Sequence, residues 1–176
     1  HGKVVPVFND KHLAWNFKDA RHMSDTARRM KIPFMAGSSI PVAWRQPELS
    51  LPMECEVQAA VAIGYGGEES YGFPALEGMQ CMLERRKGGE TGVASVQTVQ
   101  GDAIWQAEKD GRWSRSLMES ALAAQSGFKR DGWEQRLAEK STLFLIQYRD
   151  GLKETMAMAN GVANEFGFAA QLKNKT

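Results

Sequence analysis

Residues 4–37 constrain this chain more than any other stretch, because they read as a strand, a helix and a second strand in quick succession. Val4-Val5-Pro6-Val7-Phe8 is a continuous apolar run of the kind buried parallel strands carry. Pro6 removes a backbone donor, which puts that strand near an edge or leaves it paired on one side. Asn16, with Asp19 three residues on, forms a helix cap whose carboxylate lies at the positive end of the helix dipole. Ala20, Met23, Ala27 and Met30 then share one face at helical spacing. Pro33 disfavours helical geometry in Ile32, so the helix is expected to stop near Lys31. Phe34-Met35-Ala36 is the second strand, closed by Gly37. Two strands joined by a helix run parallel, and such crossovers are nearly always right-handed.

Beyond Gly37 the pattern changes. Residues 44–52 are interrupted by prolines and read as irregular or as a linker. Glu54, Glu56 and Gln58 alternate with Cys55, Val57 and Ala59, a half-buried strand that continues to Ile63 and is broken by Gly64, Gly66 and Gly67. Pro74 suits the first turn of a helix with Leu76, Met79, Met82 and Leu83 as its stripe. Glu84-Arg85-Arg86-Lys87 reads as that helix's last turn, where cations suit the dipole, before Gly88-Gly89 closes it. Residues 93–100 are β-rich, and helices are expected over 102–109 and, after a Ser114 cap, over 115–124. Residues 125–139 are polar and carry the weakest signal. An Asp150-Gly151 turn joins 143–148 to 152–158 as a hairpin, and 164–172 forms a last strand. The expected class is α+β. A βαβ unit over residues 1–45 precedes a mostly antiparallel sheet with packed helices over 46–176.

A formal net charge of +1 over 176 residues argues against a nucleic-acid or membrane-surface role, since both need a basic face. No apolar stretch approaches the roughly 20 residues of a membrane span. Cys55 and Cys81 lie in apolar segments as small thiols without a disulfide framework, which suggests a reducing cytoplasm. A chain that opens on His1 is expected to be trimmed, tagged or cut from something longer.

A strand ending in acid-Lys, a helix of small apolar residues and then Ile32-Pro33-Phe34-Met35-Ala36-Gly37 resembles the end of the nucleotide domain in the glucose–fructose oxidoreductase, inositol dehydrogenase and MocA (Gfo/Idh/MocA) family. That family carries Glu-Lys-Pro where this chain has Asp10-Lys11-His12. Residues 57–64, 75–83 and 144–151 resemble its first substrate-domain strand, a helix ending in Leu-Gly-Gly, and a hairpin. Asn9-Asp10-Lys11-His12 and Ala36-Gly37-Ser38-Ser39 are similar to stretches in bacterial relatives. The resemblance implies an NAD(P)-dependent sugar or polyol dehydrogenase, a small-molecule substrate, and a homodimer formed through one face of the sheet. It also implies a lysine near the nicotinamide, which falls on Lys11, and an Asp-x-x-x-His pair that takes the hydroxyl proton. Those two positions fall on Ser70 and Pro74, which cannot serve as the base. The family proline has become His12, which offers a base from a different position.

What such an enzyme also needs is Gly-x-Gly-x-x-Gly between a first strand and helix. Gly64-Tyr65-Gly66-Gly67 lacks the third glycine and follows a strand late in the chain, so it reads as a turn. The chain is therefore expected to lack its own dinucleotide site. Two other chemistries remain open. Asp10, His12 and Ser38 follow the two parallel strands and supply an acid, a base and a nucleophile for an ester or lactone hydrolase. Asp10, His12, Glu54 and Glu56, with Glu68 and Glu69 nearby in sequence, are the candidate ligands of a divalent metal. A non-catalytic interaction domain is the third reading. Trp44, Trp105, Trp113 and Trp133 suit a sugar site or, more simply, anchor a core.

Overall fold

The computed structural model of the chain describes residues 3–173. The front unit consists of β1 (Val7–Asp10), α1 (Phe17–Arg29) and β2 (Phe34–Gly37), and the two strands pair in parallel with Val7 opposite Phe34 and Asp10 opposite Gly37. The Asn16 side chain caps α1 by accepting from the Asp19 N–H at 2.9 Å. At the other end Lys31 turns to a φ of 55°, and its N–H and that of Ile32 reach back to the carbonyls of Arg28 and Ala27. This closes the helix with a left-handed residue in the position glycine usually fills. Within residues 3–50 only Ala27 and Gly37 are buried. β1 begins only at Val7; Phe8 and Met35 are more than half exposed on this sheet of two strands, and Val5 ahead of it is equally open.

The second part is a five-stranded mixed sheet of β3 (Val57–Gly64), β4 (Val93–Gln100), β5 (Thr142–Tyr148), β6 (Lys153–Met158) and β7 (Gly167–Leu172), ordered β4-β5-β6-β3-β7. Three of its pairings are antiparallel, as expected, while β3 and β6 run parallel at its centre. Residues 60–64 are all buried because β3 is covered on both faces, which is why this strand loses its alternation there. On one face α2 (Phe73–Leu83) packs Ala75, Met79 and Leu83 onto Ala60, Ala62, Met156 and Met158. On the other, α3 (Asp102–Lys109), α4 (Arg115–Ala123) and α5 (Trp133–Lys140) enclose Val61, Ile63, Leu143, Leu145 and Ala157. Trp105, Trp113 and Trp133 cluster there with ring separations of 5.6 and 6.0 Å, so these three tryptophans build core. Trp44 is 95% exposed. No helix among the described residues is long and apolar enough to cross a membrane.

Two local expectations change. The strand expected from Glu54 begins only at Val57: Glu54 has a φ of 58° and donates its N–H to the Arg85 carbonyl, so Glu54 and Glu56 do not share a strand face. The basic run 84–87 lies past the end of α2, and Arg86 is turned inward with 3% of its surface exposed.

Candidate functional site

Because β1 and β2 are parallel, their carboxyl ends lie on one edge, and Asp10, Lys11 and His12 come beside Gly37 and Ser38 as expected. The Lys11 N–H donates to the Gly37 carbonyl at 2.8 Å, and the Asn9 amide donates to the carbonyls of Lys11 (3.1 Å) and His12 (3.3 Å). Lys11 is held at a φ of 100°, a conformation that costs a non-glycine residue about 1–3 kcal/mol and concentrates at ligand sites.

This edge is seated on the first turns of α2. The Ser38 N–H donates to Glu77 Oε2, and the His12 ring stands edge-on to Phe73 at 5.9 Å. Gly37 is so close to Glu77 that a Cβ there would lie 2.5 Å from the carboxylate. Gly78 faces Ile40 in the same way. A side chain at either position would displace the Glu77 carboxylate or the Ile40 methyl, so both glycines suit the close approach between the two parts of the fold. Pro74, at the position where the resembled family carries its histidine, stands in α2's first turn next to Phe73. Ser70 lies in the single π-turn Glu68–Gly72 that leads into α2. Among the described residues His12 is thus the imidazole at this edge.

The three hydrolase candidates share the edge, yet each is bonded elsewhere. Asp10 pairs with Lys11 Nζ at 3.2 Å, Ser38 Oγ accepts from the Ile40 N–H at 3.3 Å, and His12 packs on Phe73. The Asp–His–Ser hydrogen bonds that activate a serine are not formed among them. Among the described residues no group of three or more His, Cys, Asp or Glu side chains is arranged to hold a metal ion. Glu56 is engaged by Lys173 at 3.1 Å and Lys87 at 4.0 Å, and the Lys173 hydrogen bond and charge hold its carboxyl below the usual range. The turn from β1 to α1 is Lys11-His12-Leu13-Ala14-Trp15-Asn16 and holds no glycine.

Sequence reading missed two groups. Asn160 clamps the turn after β3, accepting from the Gly66 N–H at 2.7 Å and donating to its carbonyl at 3.1 Å. Tyr65, Tyr71 and Phe166 stack over that turn with ring centres 5.2–6.5 Å apart. The second is a polar network beneath α2. Arg86 Nε donates to Asp150 Oδ2 at 2.8 Å and its guanidinium lies 4.7 Å over the Tyr148 ring, whose hydroxyl reaches Gln80 and the buried Glu154. A glutamate in step with Met156 and Met158 on an inward strand face was the available signal. No family model, no curated protein and no solved structure matches this chain.

Proposed function

We propose that this chain is the substrate-covering and association part of an oxidoreductase-like protein that acts on a sugar or polyol. It would work with a nucleotide-binding part that the described residues do not supply. The observation that carries the reading is the seating of the β1–β2 carboxyl edge, with Lys11 and His12, on the first turns of α2. Ligands of open α/β sheets collect at the carboxyl ends of parallel strands, so a ligand there would be covered by the five-stranded part. Lys11 would orient a substrate hydroxyl as a donor, and His12 is the group placed to take a hydroxyl proton. Support also comes from β1 and β2 themselves: parallel strands are normally covered on both faces, and here Val7, Phe8 and Met35 are open. The sheet's α2 face continues past the helix, where Val93 and Val96 are exposed beside Leu76 of α2, which suits a homodimer. Both cysteines are free, in keeping with a cytoplasmic setting.

Calorimetry against a panel of sugars and polyols tests the reading. Binding by the wild-type chain that weakens at least tenfold in Lys11→Ala is expected, while NAD(P) alone should not bind. Micromolar cofactor affinity, or sugar binding indifferent to Lys11→Ala, would overturn it. Ester or lactone turnover lost in His12→Ala, or activity abolished by a chelator, would replace it with a hydrolase or metal-dependent enzyme. A clean monomer by light scattering at micromolar concentration would remove the dimer.

A further inference from the structure

A cavity of about 230 Å³ opens on the face of the sheet away from α2, where the α3–α4 turn stops short of the strand ends. Its lining includes two cations, Arg112 and Lys153, and no carboxylate among the described residues. Neither cation is in an ion pair among the described residues. Arg112 Nη2 donates to the neutral Gln97 amide oxygen at 2.8 Å, which fixes the guanidinium and leaves its charge uncompensated.

The hollow exists because small residues stand where larger ones would close it. Ala59 pairs with Lys153 in register, and one step along, Val61 pairs with Thr155. Gly111, at a φ of 67°, turns the chain out of α3, and a Cβ added there would meet nothing within 4 Å. Trp113 forms a rigid wall, 6% exposed, with its indole N–H fixed to the Ile104 carbonyl at 2.7 Å. Thr155 lies at the floor with 1% of its surface exposed.

We propose that this cavity binds a small oxyanion of the phosphate type, free or as the phosphate group of a small molecule. Arg112 and Lys153 would supply the charge, and the Thr155 hydroxyl would donate from below. Arginine gives a fixed fork of donors and lysine a movable point charge, a pairing suited to a tetrahedral anion. The Ser114 hydroxyl, also in the lining, accepts from the Leu117 N–H as the cap of α4 and lies 3.0 Å from the Ser116 hydroxyl.

Titration of the full chain with inorganic phosphate, and separately with glycerol phosphate, in low-salt buffer tests this. Saturable binding is expected, weakened at least tenfold by Lys153→Ala and severalfold by the near-isosteric Thr155→Val. Lys129→Ala, an exposed lysine elsewhere, should leave it unchanged. Tighter binding of the ester would assign the site to a phosphorylated small molecule, and tighter binding of phosphate to the free ion. Absence of saturable binding for both probes, or affinity indifferent to Lys153→Ala in a chain with unchanged circular dichroism, would overturn the proposal.

Discussion

The Glu154 carboxyl lies 3.2 Å from the Tyr148 hydroxyl in the interior of the five-stranded sheet. The same hydroxyl is 2.7 Å from Gln80 Oε1, and that amide is oriented by its Nε2, which donates to Glu90. One phenol proton cannot serve two acceptors. With Gln80 Oε1 taking it, the second bond requires a protonated Glu154 that donates to Tyr148. Burial pushes the Glu154 carboxyl well above its ordinary value, against the opposing pull of Tyr148 and the Arg86 charge. Its Oε1 has no hydrogen-bond partner among the described residues, which a neutral carbonyl oxygen tolerates better than a carboxylate.

A pH dependence follows from this pair. The folded-state value is raised, so the stability it contributes is full below the unfolded value near 4.5 and is lost as pH rises through the folded one. Urea unfolding should show the wild-type chain less stable at pH 8 than at pH 5. Glu154→Gln, which can donate to Tyr148 without ionising, should flatten that slope and be more stable than wild type at pH 8 by about 1–3 kcal/mol. An unchanged slope in the variant would show that Glu154 is not the group responsible.

Arg86 and Asp150 form the other half of the network, at 2.8 Å, with 3% and 27% of their side chains exposed. Burial raises the Asp150 carboxyl, but hydrogen bonds from Arg86 and the Leu152 N–H outweigh it and hold the group below its ordinary value. Asp150→Ala strands a buried guanidinium and should cost about 3 kcal/mol. Chemical denaturation of that variant beside Asp150→Asn, which keeps an acceptor oxygen, should find the amide clearly milder.

Glu77 ties the front unit to α2 through the Ser38 N–H, and a charge-assisted bond of this kind contributes about 1.5–3 kcal/mol. Glu77→Ala should therefore free β1, α1 and β2 before it affects the sheet. Hydrogen exchange is expected to quicken over residues 7–37 while β3, β5 and β6 keep their protection. Equal loss in both parts would mean that they unfold as one unit.

Asn160 holds the Gly66 peptide at both its N–H and its carbonyl. Replacing it with alanine leaves the turn after β3 without either bond, at a cost of about 1–2 kcal/mol. Near-ultraviolet circular dichroism should lose intensity as Tyr65 and Tyr71 become mobile, with the far-ultraviolet signal unchanged.

Local chemistry made the elements readable. The Asn16 and Ser114 caps, the Pro33 stop and the Asp150-Gly151 turn each act within a few residues, and each stands where the sequence puts it. So does the carboxyl-edge grouping of Asp10, Lys11, His12 and Ser38, since parallel pairing follows from strand–helix–strand order alone.

Partnerships across the chain were decided only on folding. Glu54 read as a strand residue, yet the Arg85 carbonyl it donates to was brought beside it by the return of α2. Arg86 read as a last-turn helix cation because its partner Asp150 lies in a distant turn, and Glu154 was unremarked because its neighbours Tyr148 and Gln80 come from β5 and α2. Asp10 and His12 could be placed on one edge from order alone, but which atom each bonds depended on Lys11 and on Phe73 of another element. Short-range backbone preferences act on neighbours along the chain, whereas burial and charge pairing act on neighbours in space, and only the packed sheet determines who those are.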